Sequence, residues 1–346
     1  MKSFLSKITL SAALIAPVLF QYSCKKVSPL SIDNDEVIQT PYGLYIANTS
    51  GMLINTNDGM HFNNVFPPDG YAPIALTTSQ ENLFMVKENL HASFNNGKNF
   101  QMVFDKVSRQ EWNEQILDAP LQGKIYVATT EGKGVAYSSD NGRTWQIDDN
   151  FNPLIPVSYH ITSFAALNDG SVYAFSNENL LLLKKENADA PWTPVTVEGV
   201  FPADDGVYFV SSDGQSLFLI ESTGRHFHYV SDDAGLHWLK LLNGNIPWGS
   251  HIWTATRAPG GNLLIGTEYG VFRFEAPDQL IPVNNGLEIG TEVRRLTYKK
   301  NVYKNGATRY FVFAATNKGL FRSEDRGVNW VRTTDTTFQH NYRAMY

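Results

Sequence analysis

The stretch Ser138–Trp145 reads Ser-Ser-Asp-Asn-Gly-Arg-Thr-Trp and spells Ser-x-Asp-x-Gly-x-Thr-Trp. Each residue type has a mechanical reason to stand there. Asp140 turns its carboxylate back onto nearby backbone N–H groups, as Asx-type turns do. Gly142 supplies a positive φ without steric cost. Ser138 and Thr144 add hydroxyl bonds across the turn mouth. Trp145 opens the following strand and offers a large apolar face to wedge between neighbouring sheets. The pattern is a hairpin staple rather than a catalytic or sugar-binding loop, because its polar groups are all used locally.

Weaker copies recur along the chain. Asn55–Phe62 has Asn57 and Gly59 in the Asp and Gly slots and Phe62 in the Trp slot. Ser93–Phe100 has Asn95, Gly97 and Phe100. Lys185–Trp192 keeps only Asn187 and Trp192. Ser231–Trp238 has Asp233, Gly235 and Trp238, and Ser323–Trp330 has Asp325, Gly327 and Trp330. His61 and His237 take the Thr slot of their copies. Leu263–Phe274 keeps the hairpin pattern and has lost the motif. The spacing of roughly 40–50 residues is that of propeller blades. Short runs rich in Val, Ile, Tyr and Phe between Gly, Asn and Asp turns argue for an all-β chain. The expected fold is a seven-bladed β-propeller with four-stranded antiparallel blades. Ring closure is expected to pair residues around Val37–Gln39 with the last blade, with the tail Phe338–Tyr346 as the other candidate.

These repeats resemble the BNR/Asp-box superfamily of β-propellers, in the subset with sortilin-type domains and photosystem II assembly and stability factors. The resemblance spans nearly all of residues 40–335. It implies fold far more than function, since sialidases, xyloglucanases, sorting receptors and assembly factors share it. In such families the motif lies away from the ligand site. Sialidases need an early arginine for bidentate carboxylate binding, and here the first arginine is Arg109, past two repeats. Xyloglucanase-like enzymes need two facing carboxylates; Asp69, Asp105 and Asp118 stand in suitable loops, with no pair selected by spacing. Sortilin-type domains depend on disulfides that a chain with one cysteine cannot form. Size and blade count fit the assembly-factor group best, with no photosynthetic role implied.

Residues 1–23 carry Lys2 and Lys7, then an apolar stretch from Ile8 to Phe20, then Ser23 immediately before Cys24. This resembles a bacterial lipoprotein signal peptide. Cys24 is the lone cysteine and the expected lipidation site, residues 24–35 a tether, and 36–346 a single propeller. The expected address is the cell envelope, lipid-anchored to a bacterial membrane, the outer one by preference, and facing periplasm or cell surface. With residues 1–23 removed the net charge moves from −6 to −8, which argues against nucleic acid as a partner.

In a propeller the links between blades and the turns between second and third strands share one face, opposite the staples. Trp112 and Trp248 lie on such links, and Trp253 on an innermost strand where it reaches the axial channel. Arg257, Arg294 and Arg295 are also near innermost strands, and alternation lets only one of the last two point inward. His226 and His228 share a strand face, but no third ligand follows at metal spacing. No phosphate loop or nucleophile elbow occurs, so no catalytic residue, metal or cofactor is assigned. The reading is a monomeric, membrane-anchored, extracytoplasmic platform for an envelope protein partner. The alternative is a carbohydrate-binding or glycoside-cleaving surface protein.

Overall fold

The chain divides into two compact units, Met1–Asp33 and Asn34–Tyr346. The computed structural model describes residues 44–48, 53–56, 62–66, 73–79, 82–95, 97–108, 115–130, 134–149, 151, 160–176, 180–197, 208–212, 214–222, 228–241, 246–247, 249–257, 262–276, 279–302, 307–333 and 342–345. All of them belong to the second unit.

In chain order the strands are β1 (Leu44–Asn48), β2 (Leu53–Thr56) and β3 (Asn63–Phe66), then β4 (Ala75–Ser79), β5 (Asn82–Val86), β6 (Leu90–Ser93) and β7 (Gln101–Phe104). Next come β8 (Ile116–Ala119), β9 (Lys124–Ala128), β10 (Val135–Ser138) and β11 (Gln146–Ile147), followed by β12 (Ser163–Ala166), β13 (Val172–Ser176), β14 (Leu181–Lys185) and β15 (Thr193–Val195). The second half holds β16 (Tyr208–Ser212), β17 (Leu217–Glu221), β18 (His228–Ser231) and β19 (Leu239–Leu241), then β20 (Ile252–Arg257), β21 (Leu263–Thr267), β22 (Gly270–Ala276) and β23 (Gln279–Pro282). It ends with β24 (Val293–Val302), β25 (Thr308–Thr316), β26 (Gly319–Ser323), β27 (Val331–Arg332) and β28 (Tyr342–Met345).

These strands form four-stranded antiparallel sheets, and the expectation of seven units repeating one four-strand pattern is corrected. Six blades are continuous runs of four strands, from β4–β7 to β24–β27. The remaining sheet is composite, in the order β28-β1-β2-β3, with its innermost strand taken from the other end of the chain. β28 pairs antiparallel with β1 through Ile46↔Met345 and Ala47↔Ala344. The closure expected from Val37–Gln39 lies outside the described residues; the tail segment makes this one. A ring needs its first and last elements pinned together, and this pairing does so with backbone hydrogen bonds. First strands neighbour one another around the centre: β28 packs on β4, β4 on β8, β8 on β12, β12 on β16, and β20 on β24, which returns to β28. Between them β20 packs on β17 of the preceding blade.

The second strands are the most deeply buried. β13, β17 and β21 are buried at every position, because each lies inside its own sheet with a blade on either side. That is why they read as unbroken apolar runs, such as Leu-Phe-Leu-Ile, rather than alternating ones. Each core cluster spans two blades. One joins Tyr126, Val135 and Phe151 to Phe164, Val172 and Trp192. Trp192 meets Tyr126 and Phe151 edge-on, at centroid distances of 5.9 and 5.2 Å; such pairs add about 0.5–1.5 kcal/mol each beyond area burial. Antiparallel order places the turns from third to fourth strands on one face. The links between blades and the turns from second to third strands lie on the other, here called the link face.

Candidate functional site

The carboxylates of the repeated turns are spent on structure. Asp140 Oδ1 accepts hydrogen bonds from the Ser138 hydroxyl at 2.8 Å, the Arg143 N–H at 3.0 Å and the Thr144 N–H at 2.8 Å. Its Oδ2 accepts the Thr144 hydroxyl at 2.6 Å, and Ser138 Oγ accepts the Gly142 N–H at 2.8 Å. Partial burial opposes ionisation, but the bonds from Thr144, Ser138 and Arg143 outweigh it and hold the carboxyl down to about 2. Asp233 is held at about 2 chiefly by the backbone and ring of His237, whose Nδ1 lies 2.6 Å from Oδ2. Asp325 receives the Asn329 N–H at 2.8 Å and its side-chain amide at 2.6 Å. Histidine and asparagine therefore occupy the threonine slot by supplying the same hydrogen bond. In the Ser93 copy, Asn95 Oδ1 accepts the Ser93 hydroxyl and the Asn99 N–H, each at 3.0 Å.

Gly142 has φ +81°, and a Cβ there would meet Phe84 Cε1 of the preceding blade at 2.1 Å. The glycine thus answers two demands, the turn conformation and the blade contact. Trp145 packs edge-on against the same Phe84 at 6.3 Å and donates its indole N–H to Gly142 O at 3.1 Å.

At the ring centre lies a cavity of about 290 Å³, near the lower size limit for small-molecule sites. Its wall is built by the first-strand segments 74–77, 116–118, 164–166, 211–212, 253–256 and 295–298. Most of this wall is aliphatic or small. Its charged side chains are Asp118 on β8 and Arg295 on β24. Burial pushes the Asp118 carboxyl up to about 6, partly offset by the hydrogen bond from the Ser79 hydroxyl on neighbouring β4. Arg295 Nη1 donates to the carbonyls of Trp253 and Arg294, at 3.2 and 3.1 Å.

Trp253, the second residue of β20, sits where the cavity wall approaches the link face. The guanidinium of Arg294 lies 3.8 Å from its ring centroid. The His251 ring stacks on it at 5.9 Å and 13°. Glutamates position both flanking groups: Glu292 pairs with Arg294 at 2.6 Å, and Glu268 Oε1 accepts the His251 N–H at 3.1 Å. Glu268 and the half-exposed Tyr269 form the turn from β21 to β22, and the fully exposed Ile289 lies on the link from β23 to β24. The link face of these two blades therefore presents stacked aromatic rings and a paired guanidinium.

The predicted site residues separate. Trp253 lines the cavity, Arg295 stands in the wall, and Arg294, at the register shift between Val293 and Arg295, covers the indole. Arg257 is absent from the wall; its guanidinium lies 5.7 Å from the Phe218 ring of the preceding blade. Trp112, Trp248, Asn57, Gly59, Cys24, Arg109, Asp69 and His226 lie outside the described residues. Asp105 is exposed just past the end of β7, an outermost strand, whereas Asp118 is in the axial wall. His228 is fully buried and held down to about 4 by that burial; its Nδ1 accepts the Glu221 N–H at 3.0 Å. Sequence reasoning missed Ser79 and His251. The signal for His251 was its place two residues before Trp253, immediately ahead of the same strand.

No protein-family profile and no curated protein matches the chain. Solved structures do resemble it. YCF48 bound to a D1 peptide superposes with a TM-score of 0.53 at 13% identity, over 83% of this chain and 92% of that one. An inactive virginiamycin B lyase from Staphylococcus aureus, solved with quinupristin, gives 0.53 at 14%, over 79% and 96%. The extracellular domain of a protein described as a hybrid two component system from B. thetaiotaomicron gives 0.52 at 11%, over 91% of this chain and 49% of that one. At such identities the likeness is one of architecture, and it identifies the described unit as a β-propeller.

Proposed function

We propose that this chain is a membrane-anchored, extracytoplasmic propeller that holds another protein on its link face, with Trp253 and Arg294 at the contact. The observation carrying this reading is the stacked His251–Trp253–Arg294 group. Aromatic and arginine side chains, pre-positioned by neighbours, are the residue types that concentrate binding energy at protein contacts. A propeller of the same architecture was solved with a peptide bound, which is consistent with the platform reading. Anchoring is supported by the apolar leader running directly into the lone Cys24. Lipidation there would tether the ring at a membrane.

The test is crosslinked recovery from native envelopes, using the full chain, a Cys24→Ala copy, and Trp253→Ala and Arg294→Gln variants. The expected result is one or two stoichiometric protein partners, reduced at least tenfold by Trp253→Ala and lost from the membrane fraction with Cys24→Ala. Recovery of polysaccharide instead, or of the same proteins with Trp253→Ala, would overturn the platform reading. Membrane retention of Cys24→Ala would overturn the anchor.

A further inference from the structure

We propose that the ring-centre cavity is a binding site for a primary ammonium group carried on a short apolar stem, with the ammonium held by the Asp118 carboxylate. The argument starts from an imbalance. Asp118 stands in a wall whose neighbouring side chains include Leu76, Ile116, Phe164 and Leu296. A carboxylate in such surroundings is costly unless an opposite charge meets it. Among the described residues its partner is the Ser79 hydroxyl, and no basic side chain pairs with it. Arg295, the other charged residue of the wall, directs its Nη1 to two backbone carbonyls.

The geometry also selects the kind of cation. A guanidinium is held best by two parallel acceptor oxygens, and part of the acceptor capacity of Asp118 is already given to Ser79. A divalent metal needs several ligands, and no group of three ligating side chains occurs among the described residues. A compact ammonium needs one strong acceptor plus neutral ones for its remaining protons. The wall includes hydroxyl-bearing residues, among them Thr77 on β4 and Thr297 on β24. The apolar remainder of a cavity of about 290 Å³ accommodates a stem of a few methylenes, each worth roughly fourfold in affinity. Such a group is offered by a free alkylamine or by a lysine side chain of a bound protein. The chemistry is the same in both cases, and the site stands whether or not the link face takes a protein.

The experiment is titration calorimetry of the intact chain at pH 8 with n-pentylamine. The expected result is saturable one-to-one binding, at least tenfold weaker for 1-pentanol and roughly fifteenfold weaker for n-propylamine, which has two methylenes fewer. Asp118→Asn should weaken pentylamine at least tenfold, and Thr297→Trp, which fills the cavity, should abolish binding. If Asp118→Asn does not fold, the pentanol comparison and Thr297→Trp carry the test. A short lysine-containing peptide that displaces pentylamine assigns the ammonium to a protein side chain; pentylamine binding with no displacement assigns it to a free amine. Absence of pentylamine binding, equal binding of pentanol, or unchanged affinity in folded Asp118→Asn would each overturn the proposal.

Discussion

Asp140 and Asp118 are both acidic residues beside a strand end, and their surroundings treat them in opposite ways. Asp140 is exposed, yet its oxygens accept hydrogen bonds from Ser138, Arg143 and Thr144. Its carboxyl is held at about 2. Asp118 is largely buried, has the Ser79 hydroxyl as partner, and is pushed up to about 6. The first charge is satisfied by its own turn and contributes to the fold. The second is maintained at a cost in a concave wall. Abundance of aspartate therefore says little about function in this chain; what separates the two classes is whether donors are supplied locally.

The largest effect that would sharpen this contrast is at the staple. Gly142→Ala places a Cβ 2.1 Å from Phe84 in a backbone with φ +81°. Overpacking and an unfavourable φ each cost about 1–3 kcal/mol, so a loss of roughly 3 kcal/mol is expected in a urea midpoint measurement. A loss below about 1 kcal/mol would mean that the blades shift apart freely at this contact. Gly123 is the control: it also has a positive φ, but nothing lies within 4 Å of its Cβ position. Gly123→Ala should therefore show the conformational cost alone.

Next in size is Asp140→Ala, which removes the acceptor for two N–H groups and two hydroxyls. Because these groups are exposed and water replaces part of the loss, about 1–2 kcal/mol is expected. The pH dependence has a definite sign. A carboxyl whose folded pKa is lowered contributes stability that is present above its ordinary value of 3.8 and is lost as pH falls through about 2. The gap between native protein and Asp140→Ala should narrow between pH 4 and pH 2. A gap constant over that range would show that the turn does not use the ionised form.

The same contrast explains what could be read from sequence. The staples are legible because all their partners lie within eight residues, so residue type and spacing alone determine the bonds at Asp140, Asp233 and Asp325. Substitution of the threonine slot by His237 or Asn329 is legible for the same reason. Closure was legible only as a choice of two segments, of which the tail Phe338–Tyr346 was one: β1 and β28 meet across nearly the whole chain, and nothing local to Tyr342–Met345 names its partner. The cavity lies in between. Its wall draws on six strands distant in sequence, so Trp253 could be placed by strand order, and one of two adjacent arginines by alternation. The setting of Asp118 could not, since it depends on Ser79 and on side chains brought in by the ring.

The last expected effect is no larger, has the opposite sign and is the most discriminating. Asp118→Asn keeps the size and an acceptor for the Ser79 hydroxyl while removing the buried charge. For a carboxyl whose folded pKa is raised from 3.8 to about 6, protonation favours the folded state. The stability that proton brings is fully present below pH 3.8 and is lost as pH rises through about 6. The native protein should therefore carry a penalty at pH 7.5 that Asp118→Asn lacks. The shift converts at about 1.4 kcal/mol per pKa unit, and partial exposure with solvent screening reduces this to roughly 1–2 kcal/mol. Thermal unfolding should show Asp118→Asn more stable than the native protein at pH 7.5, with the difference shrinking toward zero near pH 4. A variant less stable at both pH values would place Asp118 with the staples, as a charge the fold itself requires. A gain in stability confined to high pH would mark it as a charge kept against the interest of folding, the behaviour expected of a residue held ready for a ligand.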